Sequence, residues 1–116
     1  MGLLTLTQTR GDTRGYYFTR VDGAGQVISA TPDSLYFTVK TSFNTPQFVL
    51  QKSLADMTID EEYVYHFTIL PEDTERLPYG TYVFDIQVTQ DGVVTTIAKG
   101  KFVLTQEATW AINEGD

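Results

Sequence analysis

The stretch from Leu77 to Val88, Leu-Pro-Tyr-Gly-Thr-Tyr-Val-Phe-Asp-Ile-Gln-Val, limits the fold more than any other part of the chain. Pro78 and Gly80 punctuate a turn, because Pro fixes φ and Gly tolerates positive φ. Strict alternation follows at once. Tyr82, Phe84, Ile86 and Val88 fall on one side, and Val83, Asp85 and Gln87 on the other. A period of two is the mark of a half-buried β-strand, here expected over residues 80–90. Asp91-Gly92 then ends it, a pair that favours a tight hairpin.

The same patterning recurs along the chain. Between Ser34 and Thr41, Leu35, Phe37 and Val39 form an apolar row opposite Tyr36, Thr38 and Lys40. Further strands are expected over Leu3–Thr9, Tyr16–Val21, Gln47–Lys52, Glu62–Leu70 and Val93–Gln106. In the Glu62–Leu70 strand, Tyr63, Tyr65, Phe67 and Ile69 share one face. Gly11-Asp12-Thr13 and Asp22-Gly23-Ala24-Gly25 separate strands with turn chemistry. Pro71 to Leu77 opens with Pro and acids, which suits one short helical turn near 71–77. The last strand has two possible registers. Either Val94, Ala98, Phe102 and Leu104 form one inward row with Ile97 outside, or a bulge near Gly100 flips the register. An isolated Gly in a strand marks a bulge or a close backbone approach, and the bulge is preferred.

About seven short strands with turns between them define an all-β, immunoglobulin-like antiparallel β-sandwich. In such a sandwich a Tyr near the start of strand F stands two residues before a core position that antibodies fill with Cys. Tyr82 takes the first place and Phe84 the second, with Phe37 meeting them in the core. Residues 1–110 are assigned to the sandwich and 111–116 to a flexible acidic tail.

Length and composition agree with one such domain. The chain has 116 residues, 13% of them aromatic, which sets it apart from disordered sequences. It has no Cys, so no thiol nucleophile and no inter-sheet disulfide, and a reducing compartment is expected. No leader-like apolar run is expected near the start, and no membrane span. The 15 acidic and 8 basic residues give a net charge of -7, which repels nucleic acid.

The sequence offers little chemistry. The one His, His66, lies on the strand face opposite Tyr65 and Phe67. One His and no Cys argue against zinc, and no metal or other cofactor is expected. Asp60-Glu61-Glu62 and Glu72-Asp73 lack the spacing of a calcium loop and read as solvated turns. No catalytic residue is assigned. Tyr17, Tyr36, Tyr79 and Trp110 stand outside the apolar rows, where aromatics could meet a sugar or a protein. Leu3, Leu4, Tyr17, Tyr36 and Trp110 are the candidate partner contacts, with Lys99 and Lys101 close by. The first and last strands are the candidate edges.

The order of motifs resembles a known family. Gly11-Asp12-Thr13, Asp22-Gly23 and Leu35-Tyr36-Phe37-Thr38-Val39-Lys40 carry it in the first half. Leu70-Pro71-Glu72-Asp73-Thr74, Leu77 to Tyr82, Phe84 to Thr89, Asp91-Gly92, Gly100 to Leu104 and Glu107-Ala108-Thr109 carry it in the second. Over roughly residues 5–109 the chain is similar to the immunoglobulin-like N-terminal domain of tailed-bacteriophage baseplate upper proteins and to small phage structural proteins. The resemblance implies a non-catalytic virion component, of tail, baseplate or head, made in the bacterial host cytoplasm. Its implied partners are other virion proteins, with room for a homo-oligomer and no nucleic-acid or membrane role. Two departures stand against it: Ala24-Gly25-Gln26-Val27-Ile28-Ser29 replaces an Asp-Leu-Thr-like segment, and the sequence stops at Asp116 where the family continues into a stalk, so the expectation is either one domain of a larger tail protein or a stand-alone head or tail accessory. The alternative is a carbohydrate-binding or adhesin-like module on a phage or bacterial surface protein.

Overall fold

The computed structural model describes residues 4–106. Eight strands form in chain order: β1 Leu4–Thr9, β2 Arg14–Thr19, β3 Ser34–Lys40, β4 Leu50–Ser53, β5 Thr58–Ile59, β6 Val64–Ile69, β7 Gly80–Gln90 and β8 Val93–Thr105. They build a five-stranded sheet, β1-β8-β7-β3-β4, and a three-stranded sheet, β2-β6-β5. The strand order is that of an immunoglobulin-like sandwich, with β2, β6 and β5 as B, E and D facing β3, β7 and β8 as C, F and G. The strand beyond the expected seven is β5, whose two residues are too short to show a period.

The apolar rows meet as the alternation requires. Leu35, Phe37, Val39, Tyr82, Phe84, Ile86 and Val88 are buried from one sheet, and Tyr65, Phe67 and Ile69 from the other. Phe37 joins the layers, with ring centroids 4.8 Å from Phe67, 5.6 Å from Phe84 and 6.5 Å from Phe102. Tyr82 closes the corner by donating its hydroxyl to the Pro78 carbonyl at 2.6 Å. Burial holds this phenol above its ordinary pKa range.

The helical turn, α1, is shorter than expected and spans Pro71–Thr74. Asp73 accepts the Leu70 N–H at 2.7 Å, satisfying a donor that the turn leaves free. The buried Thr74 hydroxyl accepts the Gly11 N–H at 2.9 Å, which ties α1 to the connection between β1 and β2.

Three local expectations need correction. Tyr63 does not join the inward row: it sits at φ 62° in the turn before β6 and is exposed. Asp60 builds that turn, accepting the N–H groups of Glu62 and Val64. The bulge in β8 exists, but at Ile97 and not at Gly100. Ile86 faces Ala98 and Gln87 faces Thr96, so Ile97 is the additional residue. Gly100 is required for the other reason: a Cβ there would lie 1.9 Å from the Leu4 carbonyl oxygen.

β1 determines what the sandwich leaves open. It pairs in parallel with β8, from Leu4 opposite Gly100 to Thr9 opposite Thr105. It therefore joins the five-stranded sheet, and β2 remains the edge of the other. Among the described residues, nothing pairs with the outer edge of β8 between Val93 and Lys99.

Candidate functional site

The described candidate contact residues, Leu4, Tyr17 and Tyr36, are not brought together. Leu3 and Trp110, with the tail at 111–116, lie outside the described residues. Leu4 is 50% exposed at the start of β1. Tyr17 is 76% exposed on the outer face of the three-stranded sheet, its ring 6.0 Å from His66. Tyr36 is 42% exposed on the outer face of the other sheet, opposite Ser53 and Gln87. The core separates the two Tyr rings, so one flat ligand cannot stack on both. Tyr79 is engaged by Arg10, whose guanidinium carbon lies 4.0 Å from the ring centroid and which donates to its hydroxyl at 2.6 Å.

The acids have local structural work. Asp60 and His66 are 3.0 Å apart on a half-exposed face. The His66 hydrogen bond is the first cause that holds the Asp60 carboxyl below its ordinary range, followed by the Val64 N–H. Asp73 pairs with Lys52 at 2.8 Å. Among the described residues, no group of three His, Asp or Glu side chains is arranged to hold a metal ion.

The most developed surface feature is a groove of about 320 Å³ beside the open β8 edge. It follows from the placement of β1. With no strand outside β2, the two sheets gape along one side. Phe18, Val21 and Ile28 form one wall, Ile86 and Val88 the floor, and Thr95 and Ile97 the other wall. The bulge gives this lining its character. Residues opposite each other in an antiparallel pair share a face. Val88 is buried and faces Thr95, so Thr95 and, two residues away, Val93 point to the groove side. Val94 and Thr96 take the outer face, where Thr96 accepts a hydrogen bond from Gln87 at 3.3 Å.

Arg20 closes the end of the groove. Its guanidinium is buried and donates to the Ala30 carbonyl at 3.0 Å, the Gln90 side chain at 2.7 Å and the Tyr65 hydroxyl at 3.4 Å. These neutral acceptors fix the loop after β2 against the β7–β8 hairpin.

Sequence reasoning named the last strand as an edge but missed the groove. A signal was present in Val93-Val94-Thr95-Thr96-Ile97-Ala98, a run rich in β-branched residues without a charge or Pro. Such a run on an edge is a template for further pairing.

Comparisons with known proteins extend the fold and no further. No family model matches the chain, and no curated protein matches it in sequence. It is similar in structure to part of the endo-beta-1,4-mannanase from Thermotoga petrophila, with a TM-score of 0.59 and 14% identity. That match covers 89% of this chain and 18% of the mannanase chain. A match to CopC from Methylosinus trichosporium OB3b has a TM-score of 0.40 and 16% identity, covering 69% of this chain and 70% of that one. The first match reflects a shared β-sandwich fold.

Proposed function

We propose that the chain is a non-catalytic structural or assembly module of a phage virion, in tail, baseplate or head, acting through protein–protein contacts. The observation that carries the proposal is the uncharged edge of β8, unpaired among the described residues, above an apolar groove. Val93 is 64% exposed and Val94 62%. A protein with net charge -7 keeps this segment free of charge, as the desolvated centre of an interface requires. The setting in a virion comes from the resemblance in motif order between residues 5 and 109. A carbohydrate-binding role retains the exposed Tyr17 ring but lacks a platform shared with Tyr36.

The experiment is proteomic. Particles are induced from a lysogen carrying the gene, banded by density and analysed by quantitative mass spectrometry. The chain is expected in a fixed ratio to the major structural proteins. Its presence in the lysate but absence from banded particles would reject the proposal.

A further inference from the structure

We infer that the groove between the sheets binds a small amphiphilic monoanion, an alkyl chain ended by a carboxylate, with Arg20 as the anion-binding residue. This site stands independently of the virion role and of any partner at the β8 edge.

The groove has an apolar length and one charged end. Phe18, Val21, Ile28, Ile86, Val88 and Ile97 supply most of the lining, and Arg20 is the one charged residue that borders it among the described residues. Its volume of about 320 Å³ falls at the small end of the range for small-molecule clefts, which are mostly apolar with a few fixed polar groups.

Arg20 is 7% exposed, yet its charge is not matched. A guanidinium carries five N–H donors and stays protonated. Nη1 donates to the Ala30 carbonyl and the Tyr65 hydroxyl, and Nη2 to the Gln90 side chain. All three acceptors are neutral. The Nε–H and one Nη2 N–H have no acceptor among the described residues. Arg20 borders the groove, and its Nε is not enclosed by protein. Buried charges are ordinarily paired. Here the acids of the adjoining loops are engaged elsewhere. The Asp22 carboxylate accepts the Ala24 and Gln26 N–H groups, and the Asp33 carboxylate accepts the Asp91 N–H. Among the described residues, the ion pairs are Lys52 with Asp73 and His66 with Asp60, and neither involves Arg20. A chain of net charge -7 thus holds an enclosed cation with no carboxylate on it.

Charge and chemistry select the ligand. One guanidinium neutralises one negative charge, whereas a phosphate dianion would bring an unbalanced charge into an apolar cleft. A planar carboxylate matches guanidinium N–H groups in geometry. Beyond Arg20 the groove offers no second charge, so the rest of the ligand is apolar.

The probe is sodium decanoate, titrated into the isotope-labelled native chain and followed by amide NMR. Saturable shifts are expected at groove amides, Val21, Ile28, Thr95 and Ile97 among them, with a dissociation constant below about 1 mM. Decanol keeps the chain and loses the charge, and should bind at least about 10-fold more weakly. Decyltrimethylammonium should leave these amides unshifted. Arg20→Gln should bind decanoate and decanol alike, a loss of selectivity that a purely structural role for Arg20 would not produce. Circular dichroism melts verify that this variant folds. Thr95→Trp, at an exposed position on the groove wall, blocks the cleft without replacing the guanidinium and should weaken decanoate by at least about 10-fold. No saturable shift below about 1 mM, equal affinity of the native chain for decanoate and decanol, or unchanged decanoate binding in Thr95→Trp would overturn the inference. Shifts of the same amides on concentrating the chain alone would place a second copy in the groove and overturn it as well.

Discussion

Replacing Tyr82 by Phe removes one oxygen and leaves the buried ring in place, so the change isolates the corner hydrogen bond. The Tyr82 hydroxyl donates to the Pro78 carbonyl at 2.6 Å, a short bond for its type. A neutral hydrogen bond contributes a net of about 0.5–1.5 kcal/mol, and an acceptor left dry can cost about 1–3 kcal/mol. Pro78 is exposed, so water can reach its carbonyl once the phenol oxygen has gone. The expected loss therefore sits near about 1–1.5 kcal/mol. For a domain of this size that corresponds to a fall of roughly 4–8 °C in Tm. Urea unfolding followed by circular dichroism measures it, with Tyr36→Phe on the outer face as the control. The m-value should stay constant, since the surface exposed on unfolding is unchanged. A Tyr82→Phe loss no larger than that of Tyr36→Phe would show that the bond does not hold the corner. A loss above about 3 kcal/mol would show that water cannot replace the donor, and the exposure argument would fail.

Gly100→Ala should cost about 1–3 kcal/mol as overpacking, because its Cβ would meet the Leu4 carbonyl oxygen at 1.9 Å and that backbone must move. Hydrogen exchange should speed up in β1 and not in β3, and unchanged exchange in β1 would refute the seating of Leu4 on Gly100. Asp60 has a folded-state pKa below its unfolded value, chiefly through the His66 hydrogen bond. Its contribution is complete above the unfolded value near 3.8 and is lost as pH falls through the lowered folded value. Asp60→Asn should flatten that acid limb in a urea midpoint measured against pH, and an identical pH profile in the variant would refute the assignment.

The core of the fold was legible because its rows alternate without interruption. Leu35, Phe37 and Val39, with Tyr82 to Val88, admit one inward face each, and the structure buries both rows. Tyr63 broke the rule for a local reason. The Asp60 side chain binds two following N–H groups and turns the chain before the period begins. The sheet assignment of β1 was not legible, since a period of two gives a face and not a neighbour. Gln8 hid even the face: it is buried, accepting from the Tyr16 hydroxyl at 3.0 Å and donating to the Asp12 carbonyl at 3.2 Å. In sequence, such a residue reads as solvent-facing. The groove could not be read for the same cause, because it exists only through β1 joining the sheet of β8.

The treatment of the other edges gives the β8 segment its meaning. Natural sheets discourage stray pairing with short edge strands, charged side chains and bulges. β5 is two residues long, and β4 is four residues long and carries Lys52. On β1, the Arg14 guanidinium already occupies the Thr7 carbonyl, at 2.6 Å. The β8 bulge at Ile97 lies within the open segment but turns two adjacent residues, Ile97 and Ala98, toward the groove, which adds apolar surface there. From Val93 to Ala98 there is neither charge nor Pro. A molecule that blunts β1, β4 and β5 and, among the described residues, leaves the edges of β2 and β8 open beside an apolar groove has the arrangement that strand addition from a partner requires.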